Sequence, residues 1–355
     1  IDKINFPRHK TCAGWINRLV FERFPYLVAY EDALIDCAFY GVAFLDRELH
    51  RAARWSQRQP AGYLSLRSKF DTGLKDIAVA SGAEFRSGSG IAALSQTETK
   101  VEARLDAGDL FQAQVLIGAD GVHSRVAALA GLRLDWAEDE YVRCANEDIP
   151  YPAEAVARFY SQRIVLLALQ FHGLRGYGWI FPKREHICVG IGGRLDRGEH
   201  IRDLYLSFFT AAQQHGYLPA ELSSQQVCYA LDPAGAVNKG KPLVRGRVVL
   251  VGDAGGFVSG STGEGIYPAM ESARLAVELA DRGLRAGNVA MHLAAFQTAW
   301  QTRLGNYLRG LPGGEQTARR SEWIFRSRLE CAVAARMFLY GEPPGWRTLV
   351  RALWS

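Results

Sequence analysis

Apolar residues along this chain keep two rhythms. Val248 to Val251 form a short, continuously apolar, β-branched run that reads as a buried parallel strand ending on Gly252-Asp253. Six glycines from Gly252 to Gly265 follow, and Met270, Ala273, Ala276, Val277 and Ala280 then recur at helical spacing. Earlier, Phe70, Leu74 and Ile77 share a helical face ended by Gly82. Val101–Leu105 and Phe111–Ile117 read as strands, the second emptying into Gly118-Ala119-Asp120-Gly121.

Between Arg133 and Lys241 this glycine-and-helix punctuation stops. Residues 155–160, 164–171, 177–181 and 186–192 read as successive antiparallel strands, and a helix with Leu204, Phe208 and Ala211 in a stripe follows at 201–215. Near the end, Leu293, Phe296, Trp300, Leu304 and Leu308 mark a helix broken at Leu311-Pro312-Gly313-Gly314. Ser321 is placed to cap a last helix carrying Phe325, Leu329, Val333 and Met337.

The alternation predicts an α/β (α+β) protein in which a Rossmann-like domain is discontinuous in sequence, at 1–132 and 241–310. An antiparallel-sheet domain at 133–240 interrupts it, and 311–355 form a helical C-terminal region. At 355 residues, two lobes are expected.

Composition is that of an ordinary globular chain, 48% hydrophobic and 22% charged, with no apolar run long enough to span a membrane. The net charge of +5 resides in the segment from Arg303 onward, which holds nine arginines and four glutamates. That basic, aromatic end fits either docking on the core or peripheral contact with an anionic membrane, and no nucleic-acid partner is expected. Six scattered cysteines without a Cys-x-x-Cys pair argue against a metal site or a disulfide framework and for a reducing compartment, hence a cytoplasmic location, at most peripheral to the inner membrane surface.

The glycine-rich loop is where chemistry is expected. Bare amides and the positive helix end favour an anion, or a ring that becomes anionic, at the carboxyl end of a parallel strand. Gly252-Asp253, with Thr262-Gly263-Glu264-Gly265-Ile266, resembles the flavoprotein superfamily that includes p-hydroxybenzoate hydroxylase. The resemblance implies that Asp253 holds the ribityl chain of FAD and that residues 262–266 face the pyrimidine edge of its ring. Gly118-Ala119-Asp120-Gly121-x-x-Ser124 resembles the same superfamily's pyrophosphate element, with Asp120 holding that region and Gly121 allowing close approach. Arg67, in Arg67-x-x-Phe70-Asp71-x-x-Leu74, would contact the cofactor near its ribose or pyrophosphate. Asp2 stands where the acidic residue for the adenosine ribose would stand, so roughly 30 residues carrying the phosphate-cradling glycines are expected upstream. Gly88-Ser89-Gly90-Ile91-Ala92-Ala93 imitates that glycine motif but lacks a helical stripe after it, and reads as a turn between strands.

Two further segments narrow the reading. Phe6-Pro7-Arg8-x-Lys10-x-Cys12-Ala13-Gly14 looks like the Pro-x-x-Lys-x-Cys-Gly-Gly signature of the geranylgeranyl reductase family, with Ala13 in place of the first glycine. Tyr177-Gly178-Trp179-Ile180-Phe181-Pro182-Lys183 looks like that family's substrate-cavity motif. Alternation puts Tyr177, Trp179 and Phe181 on one face, which with Pro182 suits a prenyl chain. By spacing alone these rings are ordinary sheet packing, and Cys12 alone is a small buried filler.

What the resemblance implies is an FAD-dependent oxidoreductase in which reduced flavin gives a hydride to an isolated carbon–carbon double bond of an isoprenoid or prenylated lipid. Cys12, or water near it, would supply the proton, while Tyr177 and Trp179 position the chain; no metal is implied, and the electron donor is NADPH or ferredoxin. A monooxygenase or halogenase of the same superfamily, and a non-catalytic fragment unable to bind FAD, stay open.

Overall fold

The computed structural model describes residues 1–196, 198–308, 321–343 and 345–353. Contacts group them into two compact units. One gathers Ile1–Arg8, Ile77–Tyr141 and the described part of Asp232–Gly310; the other gathers His9–Asp76, Val142–Leu231 and the described part of Leu311–Ser355. Residues 9–76 therefore pack with the antiparallel sheet, whereas the sequence-based division grouped them with the nucleotide-binding segments.

In the first unit, Val248–Leu250 lies parallel to Leu116–Gly118, with Leu250 opposite Gly118, and antiparallel to Val244–Arg245. Val248, Val249 and Leu250 are fully buried, as their unbroken apolar run requires. The expected strand 111–117 is divided between two sheets. Leu110–Ala113 pairs with Val101–Leu105, and the chain changes sheet at Gln114, whose carbonyl accepts from Arg247 Nη1 at 2.9 Å. The long helix is Ile266–Arg285, and its buried face is rotated from the expected stripe: Ala276 and Ala280 are buried, but Val277 is exposed while Glu271 and Ser272 point inward. Ser272 faces in because its hydroxyl accepts from Gly252 N at 3.1 Å, tying the helix to the strand end. Leu293, Phe296, Trp300, Leu304 and Leu308 are all buried, on two helices, Val289–Ala294 and Phe296–Leu308; the break expected at 311–314 lies outside the described residues.

The second unit is built on a seven-stranded sheet in the order Cys228–Asp232, Val142–Pro150, His186–Arg194, Arg175–Pro182, Val165–Leu169, Gly41–Leu45, Ala52–Ser56. The Val165–Leu169 and Gly41–Leu45 pair is parallel. Period-two alternation sorts the central strands onto two cores. Ile180, Ile187, Val189 and Ile191 join Tyr205 and Phe208 of the helix Ile201–Gln214, while Trp179, Phe181 and Cys188 join Cys331, Ala335 and Leu339 of the helix Arg328–Tyr340. Gly178 makes room for the first helix, since a Cβ there would meet the Phe208 ring at 2.8 Å.

Two local expectations are corrected. Residues 155–160 form no strand but the helix Ala153–Phe159, because Ala153, Glu154, Ala155, Ala157 and Arg158 are good helix formers placed directly after Pro152. Ser321 opens a short 3-10 turn, Ser321–Phe325, and it is Ser327 that caps the last long helix, accepting from Glu330 N at 3.2 Å while its hydroxyl donates to the Glu330 carboxylate at 2.9 Å. The inward face of that helix is made of small residues, Cys331, Ala332, Ala334 and Ala335, with Leu329 and Val333 packed at its margin.

Candidate functional site

Two groups of side chains stand out, one in each unit. In the first unit, adjacent parallel strands end together: Val251 N donates to Gly118 O at 2.9 Å, so Asp120 and Asp253 leave neighbouring carboxyl ends. Gly118 is packed so tightly that a Cβ would fall 2.7 Å from both Leu250 and Val126. Gly121 has φ +84° with open space where a Cβ would stand, so the backbone there is approachable. The Asp120 carboxylate accepts from Ser124 Oγ at 2.5 Å and from Val126 N at 3.0 Å, holding the start of the helix Arg125–Leu129.

The second strand end leads into the glycine loop. Gly252 has φ +54°, and Gly263, at φ +65°, donates its amide to Ser259 O. A Cβ on Gly265 would lie 3.5 Å from Asp253 Oδ1, so the loop returns over the aspartate. Glu264 is only 5% exposed, and its carboxylate accepts from Tyr267 N at 2.8 Å and from Tyr307 OH at 2.7 Å. Burial pushes its pKa up to about 7, against the Tyr267 amide, the Tyr307 hydroxyl and the Ile266 amide, which hold it down. The first turn of the helix Ile266–Arg285 thus already has an amide bonded by the carboxyl group of its own chain's Glu264. Asp2 belongs to the same unit, where it bridges to Ser87 and lies 3.6 Å from Arg8 Nε.

In the second unit, Cys12 lies in a charged nest. Gly14 N donates to Cys12 Sγ at 3.4 Å, and Gly14 sits at φ +74° where a Cβ would fall 2.0 Å from Ser65 O and 2.9 Å from Lys183 Nζ. Arg67 and Lys183 both come close enough to interact electrostatically with Cys12. Arg67 is bound at Nε and Nη2 by the two Asp71 oxygens, 2.8 and 3.1 Å away, the i,i+4 partner that offsets a cation at a helix start. Burial would weaken its charge, but Cys12 and Asp71 reverse this and raise its pKa. Lys183 is 1% exposed and donates to Asp148 Oδ1 at 2.5 Å. There too burial works against the charge, and Asp148 outweighs it. Cys188, beneath the same group, is raised well above the usual thiol range, first by burial and then by Asp148.

The aromatic face is present and filled. Phe338 lies edge-on to Tyr177, 5.5 Å between ring centres, and stacks on Trp15 at 5.6 Å. Tyr177 meets Trp179 at 5.8 Å, and Gly190 leaves space for the indole, since a Cβ there would lie 2.3 Å from it. Phe181 is buried in the same core. Pro182, with Cys37, Phe39, Tyr160, Arg163 and Lys183, lines a cavity of about 410 Å³.

The fold thus collects Asp2, Gly118, Asp120, Gly121, Gly252, Asp253 and Gly263–Ile266 in one unit, and Cys12, Arg67, Tyr177, Trp179, Phe181 and Pro182 in the other. Sequence reasoning gave Asp71 no role and missed Asp148, Tyr307 and Phe338. The i,i+4 spacing announces only Asp71, since the others are brought in by tertiary contact.

A family profile described as FAD binding domain matches residues 43–285. A geranylgeranyl diphosphate reductase from Synechocystis sp. is 31% identical over 169 residues, which are 48% of this chain and 39% of that protein. A digeranylgeranylglycerophospholipid reductase from Methanococcus vannielii is 26% identical over 257 residues, 70% of this chain and 62% of the relative. The chain therefore spans less than two thirds of the length of these reductases. In fold, it is similar to a geranylgeranyl bacteriochlorophyll reductase-like protein from Thermoplasma acidophilum, with a TM-score of 0.74, 18% identity, and coverage of 98% of this chain and 87% of that one. It is also similar to the flavin-dependent halogenase CmlS, with a TM-score of 0.70, 15% identity, and coverage of 99% and 71%.

Proposed function

Because this chain belongs to the FAD-binding domain family, we propose that it is an FAD-dependent reductase of isolated carbon–carbon double bonds in an isoprenoid or prenylated lipid. The observation that carries the reading is the nest around Cys12, where a sulfur lies beside the guanidinium of Arg67 and the ammonium of Lys183 in the unit that also bears the aromatic face. The relatives named as reductases of geranylgeranyl compounds support the substrate class.

The strand-end loop fits FAD. Gly121, at positive φ after the strand Leu116–Gly118, leaves backbone open, and two aspartates leave adjacent parallel strand ends, the position where α/β sheets bind ligands. Asp2, Asp120, Asp253 and the Gly263–Ile266 loop would hold the cofactor. When bound, FAD supplies the two electrons of the reduction, which it receives from NADPH or ferredoxin.

The chain's own residues do the rest. Cys12, or water near it, supplies the proton to the second carbon, and the Cys12 sulfur is kept in place by the Gly14 amide. Arg67 and Lys183, each fixed by a carboxylate, keep positive charge beside that sulfur. Tyr177, Trp179 and Phe181 form an apolar, water-excluding face that is packed under Phe338 and the helix Arg328–Tyr340, so a prenyl chain would reach it by displacing that packing.

The test is anaerobic. The chain is mixed with FAD, desalted, reduced with dithionite and given geranylgeranyl diphosphate, and the product is weighed by mass spectrometry. Gain of hydrogen pairs by the wild type, with loss of most turnover in Cys12→Ser, supports the reading. A substrate unchanged without oxygen but oxygenated in air points to a monooxygenase instead. Failure to retain flavin absorbance removes the catalytic reading for this chain.

A further inference from the structure

The helix Trp346–Leu353 is amphipathic in the wrong sense for core packing. Its small residues face inward, Thr348 at 3% and Ala352 at 5% exposed, while Trp346 at 72%, Leu349 at 43%, Val350 at 40% and Leu353 at 62% face out. Positions 346, 349, 350 and 353 follow the i, i+3, i+4, i+7 spacing of one helical stripe, roughly 100° wide. Arg347 and Arg351 lie to one side of it, both exposed.

The helix is held in this orientation. Thr348 Oγ1 donates to Pro343 O at 2.7 Å, and Arg351 donates to Glu342 Oε1 at 3.0 Å. Glu342 is gripped at the same time by Arg336, at 2.7 and 3.0 Å. At this junction two arginines, Arg336 and Arg351, meet one glutamate, and the exposed Arg347 lies on the same side of the helix as Arg351, so the outward apolar stripe is bordered by net positive charge. A stripe of large apolar residues left in water is unfavourable by roughly 25 cal/mol per Å², and patches of this kind mark interaction surfaces.

We propose that the helix Trp346–Leu353 docks this chain on an anionic lipid surface, with Trp346, Leu349, Val350 and Leu353 entering the headgroup boundary and Arg347 and Arg351 meeting lipid phosphates. Charge complementarity selects the occupant. Arginines beside a tryptophan-bearing apolar stripe match a negatively charged interface. The helix lies in the plane of the surface, inserted roughly 5–10 Å. Among the described residues no helix is long and apolar enough to cross a membrane.

The experiment is cosedimentation of the full chain, without flavin or isoprenoid, with phosphatidylcholine vesicles and with vesicles that also contain phosphatidylserine. The wild type is expected to pellet with the anionic vesicles, and Leu349→Ser/Leu353→Ser to partition at least about tenfold less. Arg347→Gln should narrow the difference between the two lipid mixtures. Thermal unfolding of the double variant should match the wild type, since both side chains face outward. Absence of wild-type pelleting, or equal pelleting of the double variant, overturns the proposal. So does self-association without lipid that the double variant abolishes, which would assign the stripe to a second copy. Because no substrate or cofactor is used, the outcome is independent of the reductase reading.

Discussion

Tyr307 donates its hydroxyl to Glu264 Oε2 at 2.7 Å, placing a tyrosine 43 residues downstream against the acid at the head of the helix Ile266–Arg285. Burial pushes the Glu264 pKa up to about 7 from 4.5, so the folded state favours the protonated form. Its contribution to stability is complete below about pH 4.5 and is lost as pH rises through about 7, a change of roughly 3 kcal/mol. Glu264→Gln keeps the shape and removes the titration. Urea unfolding between pH 5 and 8 should show a smaller decline for the variant, and an unchanged decline would mean that Glu264 is ionised throughout.

Lys183 and Asp148 should behave as one unit. Lys183→Met leaves the Asp148 carboxylate, 17% exposed, without its cation, and should lose about 3 kcal/mol of stability. Removing both charges in Lys183→Met/Asp148→Leu should recover much of that loss. Chemical denaturation of the four members of the cycle measures the coupling, and strictly additive effects would contradict a paired arrangement.

Gly14 is required by space and by backbone. At φ +74° an alanine is strained by about 1–2 kcal/mol, and its Cβ would also fall 2.0 Å from Ser65 O. Gly14→Ala should therefore destabilise by more than 2 kcal/mol and shift the Cys12 turn, read out as a changed alkylation rate of Cys12 by iodoacetamide. A variant with wild-type stability and thiol kinetics would refute this close packing.

Phe338 joins Trp15, Tyr177 and Phe44, the last at 6.2 Å between ring centres. Truncation to alanine should reduce stability by about 3 kcal/mol, the low end for a phenylalanine because this ring is half-buried. Guanidinium denaturation checks it. Less than 1 kcal/mol would mean the last long helix contributes little to the aromatic core.

Much of this protein is legible in one dimension. Strand ends that deliver Gly-Asp, the alternation that puts Tyr177, Trp179 and Phe181 together, and the segment around Cys12 are all local patterns, and local patterns survive because backbone geometry sets their period. The strand expected at residues 155–160 failed for the complementary reason: Pro152 followed by alanines favours a helix, and no alternation opposed it. Other features have no local signature. Phe338 reaches Tyr177 from 161 positions away, and Tyr307 reaches Glu264 only because the helices Ile266–Arg285 and Phe296–Leu308 pack together. Whether an apolar stripe faces core or water was likewise undecided in the sequence. Thr348 and Ala352 took the inward side of the last helix because the Arg336–Glu342–Arg351 junction and the Thr348 hydrogen bond fix its rotation, leaving Trp346 and Leu353 outside. Periodicity shows that a helix has two faces, and only the surrounding contacts choose between them.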